Sequence, residues 1–208
     1  MNLPWLNRLF AALRNGPPSI SQNSSLPSKP SSTSEPPTLP KPPKSGPGTK
    51  AKSHSETRTK TPNVSAKAIT PQAIVLHHSG GSYAGGVSWI RNPQSRVSYH
   101  CLVAPDGRRT VFANPTQRTW HAGISSWRGK RDLNSWSVGA SFAGDSYKEP
   151  ITDDAMASMA EYLLPVMRQY GLTLDDVTDH RTVSPGRKDD LKPSELARFK
   201  AYLAARLA

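Results

Sequence analysis

The chain holds one cysteine, Cys101, among 208 residues, so no intrachain disulfide can form. That suits synthesis in a reducing compartment. Cys101 sits in the apolar run Cys101-Leu102-Val103 and reads as a small buried hydrophobe. Long hydrophobic runs are also missing: nothing approaches the roughly 18 apolar residues of a membrane span. Acidic residues are scarce, 15 against 27 Lys and Arg, for a net charge of +12. Residues 17–67 hold no aromatic side chain, hence no platform on which bases could stack, and no nucleic-acid-binding signature follows. A specific nucleic-acid partner is therefore not expected.

What is present is unevenly placed. Of 20 prolines, 11 fall in residues 17–67, among many Ser, Thr and Lys. Such a segment buries too little apolar surface to offset chain entropy and reads as a disordered linker, with His54 solvated inside it. Residues 1–67 carry ten Lys and Arg against two Glu, so most of the positive charge belongs to this tail. In residues 1–16, Leu3, Leu6, Phe10 and Leu13 fall on one helical stripe, the pattern of an interfacial amphipathic helix. The tail thus points to an anionic membrane or envelope surface. A partnerless solubilising linker, and a helix docking on protein, are the competing readings. The N-terminus is too interrupted by Asn and Arg for a signal-peptide core, so synthesis in the cytoplasm without export signal is expected.

Residues 68–208 contain 13 of the 15 aromatics and can form one core. Their pattern is α/β. Ala73–His77 reads as a buried strand. Ser98–Ala104 and Arg109–Ala113 read as a hairpin around Pro105-Asp106-Gly107. Ser137–Phe142 is a further strand. Thr152–Tyr170 is a helix capped by Thr152, with a core stripe of Met156, Met159, Leu163, Val166 and Met167, an end at Gly171 and an expected kink at Pro165. Val177–His180 is a short strand. Pro193–Leu207 is a final helix with Leu196, Phe199, Leu203 and Leu207 facing inward.

Two segments carry chemistry. An apolar run delivers the pair His77-His78, and Asp179–Asp190 reads DHRTVSPGRKDD, placing His180 ten residues before Asp190. Two imidazoles and one carboxylate form the ligand set of a hydrolytic zinc site with one open position. Adjacent residues on a strand point to opposite faces, so only one of His77 and His78 readily serves such a site. His121, in Trp120-His121-Ala122-Gly123, lies in a loop that could converge on it.

Four blocks in order, AIVLHHSG, VSYHCLVAPDGRRTVFA followed by TWHAG, NSWSVGASFAGD, and DHRTVSPGRKDD, resemble the zinc-dependent N-acetylmuramoyl-L-alanine amidases, a family that shares its fold with peptidoglycan recognition proteins and phage amidase lysozymes. The resemblance covers about residues 71–207. It implies a central mixed β-sheet flanked by helices, and a Zn2+ held by His77, His180 and Asp190. Lys188 is suited to stabilise the oxyanion of amide hydrolysis, and Tyr99 to position water or assist proton transfer; related phage enzymes look similar at both places. His78, His121 and Arg187 are assigned to substrate binding. Two positions depart from the family. Ser141 stands where some cell-wall recycling amidases have glutamate. Asp190-Leu191-Lys192-Pro193 replaces Asp-Pro-Gly, which brings Asp189 into consideration, although the ten-residue spacing favours Asp190. The resemblance implies a monomeric enzyme cleaving the muramoyl–L-alanine amide of peptidoglycan, with a phage or prophage lysis role as the leading expectation. A cytoplasmic muropeptide-recycling amidase and a non-catalytic peptidoglycan-binding module are the alternatives.

Overall fold

The structure, a computed structural model, describes residues 54–207. The expected helix at 1–16 and the linker up to residue 53 lie outside the described residues. In chain order the strands are β1 (Glu56–Arg58), β2 (Val64–Ala68), β3 (Ala73–His78), β4 (Cys101–Val103), β5 (Arg109–Val111), β6 (Gln117–Thr119), β7 (Ser126–Trp127), β8 (Lys130–Arg131), β9 (Ser137–Phe142) and β10 (Val177–Asp179). The α-helices are α1 (Tyr83–Arg91), α2 (Asp153–Tyr170), α3 (His180–Val183) and α4 (Pro193–Leu207).

Six strands form the central mixed sheet, in the order β1-β5-β4-β9-β3-β10. Only the β4–β5 hairpin is antiparallel; every other neighbouring pair in this sheet is parallel. Side chains alternate across β3. Ile74 and Leu76 join the cluster built from α2 (Met156, Met159, Leu163, Met167) and α4 (Phe199, Leu203). Ala73 and Val75 pack on the other face with Ala122, Leu133, Trp136 and Val183. His77 shares the parity of Val75 and therefore projects from that second face, away from the α2–α4 layer.

Helix α2 follows the sequence closely. Thr152 Oγ1 accepts from Ala155 N at 3.1 Å, and Gly171 ends the helix in the left-handed conformation at φ 64°. The helix is continuous through Pro165. In α4 the inward stripe stops at Leu203, because Leu207, in the last turn, is 38 % exposed.

Helix α1 is an element the sequence patterns do not announce. Two of its nine residues, Gly85 and Gly86, lower its intrinsic propensity. Ser82 caps it, accepting from Gly85 N at 3.2 Å. Gly86 is needed for packing: a Cβ there would lie 2.8 Å from Leu102 Cδ2 on β4. The helix anchors through Ile90, which clusters with Leu102 and Phe112.

The fold also begins earlier than composition indicates. Residues 56–58 extend the edge of the central sheet, and residues 64–68 pair with β6. His54 is buried rather than solvated, with Nδ1 2.8 Å from Glu161 Oε1. The polar residues of this stretch are consumed internally. A helix leaves its last carbonyls unpaired, and at the end of α1 Thr61 Oγ1 donates to Ile90 O (2.6 Å) while Asn63 Nδ2 donates to Ile90 O (3.0 Å) and Asn92 O (2.8 Å). Removing residues 1–67 should therefore strip those partners from buried carbonyls. At about 1 kcal/mol per lost hydrogen bond, we expect a chain starting at Ala68 to melt on the order of 10 °C below one starting at His54. Equal melting temperatures in calorimetry would contradict this role for residues 54–67.

Candidate metal centre

The parallel pairing of β3 and β10 assembles the site. Leu76 lies opposite Asp179, so the next residues, His77 and His180, emerge together at the carboxyl ends of neighbouring strands. In open α/β sheets that edge is where ligands bind. Asp179 caps the short helix α3, accepting from Thr182 N at 2.7 Å, which turns the chain at His180. The loop after α3 then returns, and Arg181 N donates to Asp190 O, holding the carboxylate residue against α3.

Three residues bring their ligand atoms together. His77 Nδ1 is 3.1 Å from His180 Nδ1 and 3.0 Å from Asp190 Oδ2, and His180 Nδ1 is 3.2 Å from Asp190 Oδ1. All three residues are buried. Tetrahedral coordination at zinc–nitrogen and zinc–oxygen lengths of about 2.0–2.1 Å places ligand atoms about 3.3 Å apart, so these separations are of the size such an ion requires. The proton inventory agrees. His180 Nε2 is 3.1 Å from the carbonyl of Ala122, an acceptor only, so this nitrogen carries the proton and Nδ1 presents a lone pair. Burial, then the neighbouring His180, push the His77 imidazole down to about 4, so it is neutral at pH 7. Burial opposes ionisation of Asp190, but the His180 and His77 rings against it outweigh this and hold the carboxyl well below the usual carboxylate range. A neutral His77 ring, the Nδ1 lone pair of His180 and an ionised carboxylate form a donor set that fits a divalent cation.

The remaining expected site residues divide. The Tyr99 ring lies 5.0 Å from the His77 ring, centroid to centroid. Burial and the Asp190 charge raise its phenol above the ordinary tyrosine value, while a hydrogen bond with Ser141 opposes this. Ser141 stands opposite His77 in the β3–β9 register, and its Oγ donates to Phe142 O at 3.3 Å. Lys188 is half-buried, and its charge is among those acting on His77. Asp189 is exposed, whereas Asp190 is buried in the triangle.

Three residues expected to meet substrate are otherwise engaged. His78, across the strand from His77, has Nδ1 2.8 Å from Ser146 Oγ and also accepts from Ser146 N at 3.2 Å. His121 is buried, with its two ring nitrogens against His77 and Ser137. One guanidinium nitrogen of Arg187 shares its two protons among Ala122 O (2.6 Å), Ile124 O (2.9 Å) and Ser184 Oγ (2.8 Å), bracing the loop that carries the His180 acceptor. The polar partners behind the metal-facing rings, Ser137 and the Ala122 carbonyl, have no local sequence signature.

Comparison with known proteins agrees with this geometry. The Amidase_2 family model, N-acetylmuramoyl-L-alanine amidase, matches residues 67–193. The chain is 35 % identical over 113 residues to the 1,6-anhydro-N-acetylmuramyl-L-alanine amidase AmpD of Haemophilus influenzae, a match covering 54 % of this chain and 60 % of that protein. The chain thus spans about three-fifths of the length of such curated relatives. Among solved structures, a selenomethionine AmpD derivative superposes with a TM-score of 0.62 at 26 % identity, over 71 % of this chain and 93 % of that one. AmiD of Escherichia coli, solved with the substrate anhydro-N-acetylmuramic acid-L-Ala-D-gamma-Glu-L-Lys, gives a TM-score of 0.54 at 25 % identity, over 65 % of this chain and 60 % of that one. Among the described residues, no helix is long and apolar enough to cross a membrane.

Proposed function

This chain belongs to the N-acetylmuramoyl-L-alanine amidase family, and from that premise we propose that it is a zinc-dependent hydrolase of the amide joining the lactyl group of N-acetylmuramic acid to L-alanine. The observation that carries the reading is the convergence of His77, His180 and Asp190 on one point at the carboxyl edge of the sheet. A zinc ion held there would supply Lewis acidity, acidifying water and polarising the amide carbonyl. The chain's own groups perform the rest. The Lys188 ammonium, near the same point, offers a positive charge for the oxyanion as the carbonyl carbon becomes tetrahedral. The Tyr99 phenol, whose ring lies 5.0 Å from the His77 ring, is placed to hydrogen-bond and orient the attacking water. Buried walls on the His77 side keep bulk solvent from competing for these contacts.

The substrate class we favour is the 1,6-anhydro-muropeptide, the form named for the AmpD relatives. This places the recycling role ahead of the phage-lysis role that the basic tail and Ser141 favour in the sequence. Ser141 is no general base, so the proton-transfer role a glutamate could take there falls to Tyr99. Full complementarity of the donor set speaks against a purely binding module. The test is a rate comparison of the full chain on soluble 1,6-anhydro-muropeptide and on intact sacculi, with release of L-alanyl peptide as readout. Faster release from the anhydro substrate is expected; a clear preference for sacculi would return the lytic reading.

A further inference from the structure

We infer that His121, backed by Ser137, is a positioning residue for the metal centre: it fixes the tautomer and plane of the His77 ring so that Nδ1 presents a bare lone pair to the ion. The inference rests on the metal reading above and adds to it a residue that touches neither substrate nor metal.

The argument is one of proton direction. Ser137 Oγ lies 2.6 Å from Leu133 O and 3.3 Å from His121 Nε2. A carbonyl can only accept, so the single hydroxyl proton goes to Leu133 O. The hydroxyl oxygen must then accept from His121, which places the His121 proton on Nε2. That leaves His121 Nδ1 as an acceptor, 3.2 Å from His77 Nε2. His77 Nε2 must therefore donate to it, and with its one proton spent there the neutral ring turns a bare Nδ1 toward His180 Nδ1 (3.1 Å) and Asp190 Oδ2 (3.0 Å), an arrangement that a cation among the three would hold together. A backbone carbonyl at the far end thus sets the state of a ligand through two buried side chains.

The fold reserves space for this relay. Gly139 stands on β9 directly beneath the His121 ring, and any Cβ there would overlap the ring atoms. The backbone of His121 is itself fixed, because His121 N and Ala122 N both donate to Asn134 Oδ1, at 3.0 and 2.8 Å. The same segment presents Ala122 O to His180 Nε2. One short loop, tied down by Asn134, therefore orients both imidazoles of the centre. Outer partners of metal-bound histidines have this effect generally, and their loss weakens metal binding by about 10–100-fold.

The experiment uses the full-length protein. Zinc stoichiometry of the unmodified chain comes first, since failure to bind zinc would overturn the metal reading itself. With zinc bound and histidines labelled with 15N, His121 should be protonated at Nε2 and not at Nδ1, and His77 Nε2–H should couple through its hydrogen bond to His121 Nδ1. His121→Phe should weaken zinc in chelator competition by about 10–100-fold. His121→Asn, whose amide oxygen can take the place of Nδ1, should recover much of that loss. Ser137→Ala should also weaken zinc, with a smaller cavity and less risk to folding. A His121 protonated at Nδ1, or a Ser137→Ala protein that holds zinc as tightly as the unmodified chain, would overturn the relay.

Discussion

Replacing Asp190 with alanine should abolish both zinc binding and amide hydrolysis, while replacing its neighbour Asp189 should leave both within about twofold of the unmodified protein. The contrast follows from placement. Asp190 supplies an ionised carboxylate with Oδ2 3.0 Å from His77 Nδ1 and Oδ1 3.2 Å from His180 Nδ1, and Asp189 is exposed. Without the carboxylate, two neutral imidazoles would have to hold a divalent ion in a buried site with no compensating negative ligand, an arrangement opposed by the cost of burying charge. The strand pair provides a second control. His77→Ala should behave like Asp190→Ala, whereas His78→Ala should retain the metal, because its ring leaves β3 on the other face and bonds to Ser146. Metal analysis of the four variants, with circular dichroism to confirm folding, checks the set. Loss of zinc from His78→Ala with retention in His77→Ala would contradict the assignment.

The second large effect is catalytic rather than structural. Lys188→Ala should keep zinc and fold but lose about 10²–10³ in kcat, or about 3–4 kcal/mol of transition-state stabilisation. Lys188 is half-buried and is not one of the three converging ligands, so its removal spares the metal. Because its charge is needed only as the oxyanion develops, KM should change little and the loss should fall on kcat. Normal turnover in this variant, measured on soluble muropeptide, would leave the oxyanion without a side-chain partner and remove Lys188 from the reaction.

The catalytic edge was readable in the chain because each part combines a short-range signal with a local one. β3 is a continuous apolar run leading into His77, and Val177–His180 reads as a strand, although β10 ends one residue earlier because Asp179 caps α3 and His180 opens that helix. Parity on the strand admitted only one of His77 and His78, the family resemblance pointed to His77, and the spacing from His180 favoured Asp190 over Asp189. What the chain concealed depends on partners far away in sequence. The stretch from His54 to Lys67 looks like linker because its residues are polar, yet Thr61 and Asn63 spend that polarity on the carbonyls at the end of α1. Helix α1 itself is masked by Gly85 and Gly86, the second of which is there for contact with Leu102. His121 and Arg187 resemble substrate contacts on composition alone. Only the packing of the loop around Ala122 turns them inward, onto His77 and onto the carbonyls beside His180.

The most direct test is metal removal and return in the full chain. The protein as purified should contain one zinc per chain; chelation should abolish release of L-alanyl peptide from 1,6-anhydro-muropeptide, and stoichiometric zinc should restore it. Undiminished hydrolysis by protein stripped of divalent metal would contradict the account at its centre.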